Sequence, residues 1–156
     1  MVAIFTMLLL IPVTNASAAA KLLSWDLVDS GKHMDWDGGT KYQSYFNSGV
    51  SVWNGYKKGV IRKDTATRVQ DVKISDYTVK SSTAGVTSSA GTIKFNKYTM
   101  DKLSGTKKKN VAIHELGHAL GLAHNTLKDV MYKYVSTKTK LSSNDKASYN
   151  AAYKRY

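Results

Sequence analysis

The chain has no cysteine in its 156 residues, so no disulfide can support the fold, and a hydrophobic core together with any bound metal must do so. Acidic residues are also few. Eleven aspartates and glutamates stand against 23 lysines and arginines, for a formal net charge of +12, and Glu115 is the only glutamate. A field of that sign concentrates polyanions near the surface. Lysines are scattered among aspartates as well as clustered in runs such as Lys57-Lys58 and Lys107-Lys108-Lys109. The plainer reading is therefore a soluble face, with weak association with acidic surface polymers as a further expectation. No nucleic-acid recognition motif accompanies the charge, so no specific nucleic-acid partner is expected. The apolar stretch from Val2 to Val13 is too short for a bilayer, which needs about twenty residues, and predicts no transmembrane anchor. No repeats or low-complexity linkers divide the chain.

Residues 1–20 carry no charged side chain, run apolar from Val2 to Val13 and end in small residues. That pattern predicts a secretory signal peptide cleaved after Ala18 or Ala20, although the usual basic residues ahead of the apolar core are missing. The expected location is extracellular or cell-wall associated. Residues 21–156 then form one domain with one core, expected to be a monomer. The disulfide-free, lysine-rich and tyrosine-rich composition suits a bacterial exported protein.

The pattern of elements predicts an α+β fold. Leu22–Val28 reads as a strand, and Asp35-Trp36-Asp37-Gly38-Gly39 as a turn leading into a helix. The latter lacks the later carboxylates of a calcium loop, so calcium is possible but unsupported. His33 has no partner at metal-ligand spacing and reads as surface or turn. Thr40 with Gln43 forms a capping box for a helix over residues 41–58 that ends near Gly59, with Tyr42, Tyr45, Phe46, Val50 and Trp53 at helical spacing. Val69–Val79 reads as one or two strands and Ala84–Asn96 as a glycine-punctuated strand pair. Lys107–Asn110 leads into a further helix, and Ser142 with Asp145 caps a terminal one.

The chemistry is concentrated in residues 114–124, His-Glu-Leu-Gly-His-Ala-Leu-Gly-Leu-Ala-His, which hold three of the four histidines. On a helix His114 and His118 share a face, so both imidazoles reach one ion at the roughly 2.0–2.1 Å that zinc–nitrogen bonds require. Gly121 tolerates the left-handed conformation that ends a helix, which lets the chain bring His124 to the same metal. Three protein ligands leave the fourth position for water. Glu115, about 100° round the helix from His114, is placed to take a proton from that water. This is the arrangement for metal-assisted hydrolysis. A bare His-Glu-x-x-His recurs by chance far more often than the extended pattern does.

With Asp129-Val130-Met131-Tyr132 following, the stretch resembles the metzincin metallopeptidases, whose zinc motif is followed by a methionine turn. By resemblance, Met131 lies beneath the zinc site. The chain is most similar to the matrixin branch, the matrix-metalloproteinase-like enzymes. Val111 to Leu122 follows that branch's active helix, and Leu141-Ser142 with Asp145, Tyr149 and Tyr153 resembles its closing helix. Val50-Ser51-Val52-Trp53 and Asp71-Val72-Lys73-Ile74 resemble its first helix and a central strand.

The resemblance implies a twisted mixed sheet with a long first helix, an active-site helix and a C-terminal helix. It also implies an extended substrate lying along the edge strand Ala84-Gly85-Val86-Thr87. Two departures from the matrixin pattern stand out, and one absence disfavours the astacin-like branch. Lys133 occupies the place of a usual proline after the turn. No histidine lies between His33 and His114, so the family's second, structural zinc site and its calcium loop have no counterpart. The tyrosine that astacin-like enzymes carry two positions after the methionine is also absent. Tyr132 and Tyr134 either line a pocket or pack at its rim.

Cysteine-dependent latency, common among matrixins, has no basis here, and the chain is expected to be active once folded with zinc. The functional expectation is a secreted zinc-dependent endopeptidase acting on protein or peptide substrates. One catalytic zinc would be held by His114, His118 and His124, with Glu115 as general base. The alternative is an exported basic binding module on the same scaffold, associating with cell-wall or other polyanions without proteolysis.

Overall fold

The computed structural model describes residues 18–156, and the signal-peptide reading of residues 1–20 lies outside the described residues except for its last three. Within these residues five strands form one sheet: β1 (Met34–Gly38), β2 (Ile61–Lys63), β3 (Val72–Tyr77), β4 (Gly85–Ser88) and β5 (Thr92–Asn96), in the order β2-β1-β3-β5-β4. All neighbours are parallel except β4, which pairs antiparallel with β5 at the edge. Among the described residues four helices accompany the sheet: α1 (Gln43–Tyr56), α2 (Lys97–Met100), α3 (Gly105–Ala119) and α4 (Ser143–Tyr153). The mixed sheet, long first helix, motif-bearing helix and C-terminal helix match the expected α+β, metzincin-like architecture.

Alternation along the strands builds the core. Met34, Trp36, Val72, Ile74, Ile93 and Phe95 are buried, whereas Lys73 and Lys94 between them are exposed. Phe46, Gly49 and Trp53 form the buried face of α1, and Trp36 meets Phe46 edge-on with ring centroids 4.9 Å apart. Each large side chain so buried contributes about 1.5–3 kcal/mol of apolar transfer. Trp53 also donates its indole N–H to the Ile113 carbonyl at 2.9 Å, which fixes α1 against the helix that carries the motif.

Several local readings are corrected. Asp35-Trp36-Asp37-Gly38 is strand β1 and not a turn. Arg62 on β2 closes on the Asp35 carboxylate at 2.8 and 2.6 Å, which makes an aspartate tolerable inside a sheet. Leu22–Val28 is no strand: its backbone bonds the end of α3, Leu23 N–H to Gly121 O at 2.9 Å and Leu27 N–H to Ala119 O at 2.8 Å, and these leave only an isolated bridge between Leu22 and Leu122. The capping box of Thr40 and Gln43 does not form, because the Thr40 hydroxyl turns to Asp76 on β3. Helix α1 starts at Gln43 with no side-chain cap. Lys107–Asn110 lies within α3, whose N-cap is Ser104. The box of Ser142 and Asp145 on α4 is present as expected.

Candidate active site

Helix α3 ends in a turn that the sequence encodes locally. Gly121 adopts a φ of 87°, its N–H donates to His118 O at 2.8 Å, and Leu122 N–H donates to Gly117 O at 2.9 Å. This pair of bonds is the Schellman motif, which favours glycine at that left-handed position. Its effect is to return the chain so that His124 faces His114 and His118. The three rings lie with centroids 4.6, 5.2 and 4.8 Å apart.

Hydrogen bonds aim the nitrogens. His114 Nδ1 lies 3.0 Å from Val130 O, and His118 Nδ1 lies 2.8 Å from Leu122 O. A carbonyl only accepts, so Nδ1 carries the proton and Nε2 presents a free lone pair. His118 Nε2 and His124 Nε2 are 3.2 Å apart, close to the roughly 3.3 Å separating two nitrogens bound tetrahedrally to one zinc. Burial pushes His114 down to about 3, helped by neighbouring His118, and pushes His118 down to about 4. His124 is lowered by burial and by the charge of Lys133. Neutral imidazoles are the ligand form a metal requires. The donor set therefore fits a zinc ion, and these three histidines can hold a metal together.

The segment after His124 supports the site from below. Met131 is buried, and its Sδ packs so tightly on α3 at Gly117 that a Cβ there would overlap it. The turn is held by α4. Asp145 accepts N–H bonds from Val130 at 3.0 Å, Met131 at 3.2 Å and Ser142 at 2.9 Å. Beside it, burial raises the Asp129 carboxyl, but hydrogen bonds from Ser142, Thr126 and Asn144 outweigh that and hold it below the usual range.

Glu115 is buried, and burial pushes its carboxyl up to about 7 against the lowering effect of a Thr87 hydrogen bond. With the three histidines it lines a cleft of about 470 Å³ that also takes in Ala84 to Thr87 and Tyr132 to Val135. Both open tyrosines thus line the cleft, Tyr134 being well exposed.

A family model for matrixin matches residues 62–154, more than half of the chain. The chain belongs to the matrixin family. Matrixins are zinc metallopeptidases acting on proteins or peptides, so the donor set and the family agree on the metal. No match was found among curated proteins. In this matrixin β4 is an edge strand of the sheet, as its order in the chain implied, and it lies at the cleft, whereas β2 forms the opposite edge. Among the described residues a second cluster, this one acidic, gathers Asp29, Asp35 and Asp71, but Arg62 already neutralises Asp35. His33 sits at a turn with its N–H bonded to Asp29 at 2.8 Å.

Sequence reasoning missed the supports. Thr87 on Glu115, Asp145 under the methionine turn and the carbonyls of Val130 and Leu122 behind the imidazoles carry no local motif. Of these residues Asp145 alone stood in a recognised signature, and that signature gave it only as a helix cap.

Proposed function

We propose that this chain is an exported zinc-dependent endopeptidase in which His114, His118 and His124 hold one ion and Glu115 is the general base. The observation that carries the reading is one cleft containing three converging neutral imidazoles and a buried carboxylate raised to about 7. A zinc ion held there lowers the pKa of water towards neutrality and polarises a scissile carbonyl. Glu115 takes the proton as water adds to the carbonyl carbon, then delivers it to the amine nitrogen as the C–N bond breaks. Proton transfer by a positioned carboxylate of this kind contributes typically 10²–10⁴-fold.

Strand β4 offers an open edge along which an extended substrate can pair through backbone bonds, so affinity does not depend on a particular side chain. Export rests on the composition of residues 1–20, and the net charge of +12 favours weak association with acidic polymers at the destination. The test is to load the purified chain with zinc, expose it to a random peptide mixture and identify the cut sites by mass spectrometry. Internal cuts that vanish with chelator and return with zinc are expected. No cuts, with zinc bound, would leave the binding-module alternative in place.

A further inference from the structure

We propose that Thr87 is a positioning residue for Glu115, so that the edge strand expected to receive substrate also sets the orientation of the base. The inference rests on the general-base reading given above. Thr87 Oγ1 lies 2.7 Å from Glu115 Oε2 and 3.0 Å from Glu115 O. A hydroxyl has one proton to give, and a carboxylate is a stronger acceptor than a carbonyl. The proton therefore goes to Oε2. Oε1 has no protein partner among the described residues and is not sealed from solvent. One oxygen is tied and the other is free for proton transfer.

Gly85 completes the arrangement. Positions 85 and 87 share a face of β4, the same face as their partners Phe95 and Ile93 on β5. A Cβ at Gly85 would lie 2.8 Å from both Cγ and Oε1 of Glu115, so the side chain lies directly against the strand. Any larger residue would displace it. Two alternate residues of the edge strand thus do separate tasks: Gly85 leaves room for the carboxylate, and Thr87 selects which oxygen is held. Displacing the strand or removing the hydroxyl releases the carboxylate to rotate, and a misplacement of about 1 Å at a reacting group can cost up to 10²-fold in rate.

Because Glu115 is the only glutamate in the chain, labelling glutamate with carbon-13 at Cδ gives a single carboxyl resonance that needs no assignment. The experiment compares the zinc-loaded full chain with Thr87→Val, which keeps the shape and removes the hydroxyl, and Thr87→Ser, which keeps the hydroxyl. Zinc content is measured for each. The Val variant is expected to bind zinc normally, to move the Glu115 resonance, and to lose kcat by roughly tenfold to a hundredfold with KM within about twofold. The Ser variant is expected to restore both the resonance and kcat. An unmoved resonance in the Val variant, or a Ser variant that behaves like Val, would overturn the proposal. If the zinc-loaded parent cleaves no peptide, the general-base reading fails, and the resonance alone decides whether Thr87 holds Glu115.

Discussion

Replacing Asp145 with alanine tests how the terminal helix supports the metal site. The carboxylate is fully buried and accepts the N–H groups of Val130, Met131 and Ser142 at 3.0, 3.2 and 2.9 Å. Its removal leaves three donors unpaired at about 1–3 kcal/mol each. Partial relaxation towards water keeps the total at about 4 kcal/mol, the upper range for a single substitution. For a domain of this size that is a fall in Tm of about 8–16 °C. The effect should reach the histidines, because Val130 O holds His114 Nδ1 at 3.0 Å and loosening such an outer partner typically costs 10–100-fold in metal affinity. Urea unfolding of the metal-free protein gives the first quantity, and competition with a zinc-binding dye gives the second. A stability loss under about 1 kcal/mol with unchanged zinc affinity would show that α4 does not support the turn.

Gly117→Ala would drive a Cβ into Met131 Sδ and to 3.0 Å from Trp53 Cζ2, so about 1–3 kcal/mol of destabilisation is expected by chemical denaturation; a neutral result would mean that Met131 repacks freely. In metal-free protein His114 and His118 are lowered from 6.5 to about 3 and about 4, so the unfolded chain takes up their protons first and stability falls as pH drops from 6.5 through 4. Glu115, raised from 4.5 to about 7, acts oppositely and withdraws stability as pH rises through 7. Melts in chelator should therefore peak near pH 6.5, and a maximum at pH 4 would contradict the burial of the imidazoles. Among the described residues Lys133 is the one lysine or arginine that lines the cleft. Lys133→Ala should lower kcat/KM for acidic peptides relative to neutral ones by roughly threefold to tenfold at low salt, and an unchanged ratio would remove Lys133 from substrate selection.

The site was more legible in the sequence than the sheet was, for a physical reason. His114, His118, Gly121 and His124 are related by one helical turn and one Schellman turn, so their convergence is a local property of eleven residues. Strand β1 was misread because the partner that neutralises Asp35 is Arg62, 27 positions away. Strand β2 is only three residues long and shows too little alternation to be recognised. Leu22–Val28 has the composition of a strand, but its backbone finds the carbonyls at the end of α3 in place of a neighbouring strand. The bond from Thr87 to Glu115 spans 28 positions. Spacing rules cannot see a contact of that length, whereas the fold makes it by setting β4 beside α3.

The most direct test of the account is the peptide-cleavage rate of Glu115→Gln at measured zinc content. Glutamine keeps the size of the side chain and leaves His114, His118 and His124 untouched, so about one zinc per chain should remain bound. Hydrolysis should fall by at least roughly 10²–10⁴-fold. Cleavage at the parent rate with zinc in place would contradict the assignment of Glu115 as the base.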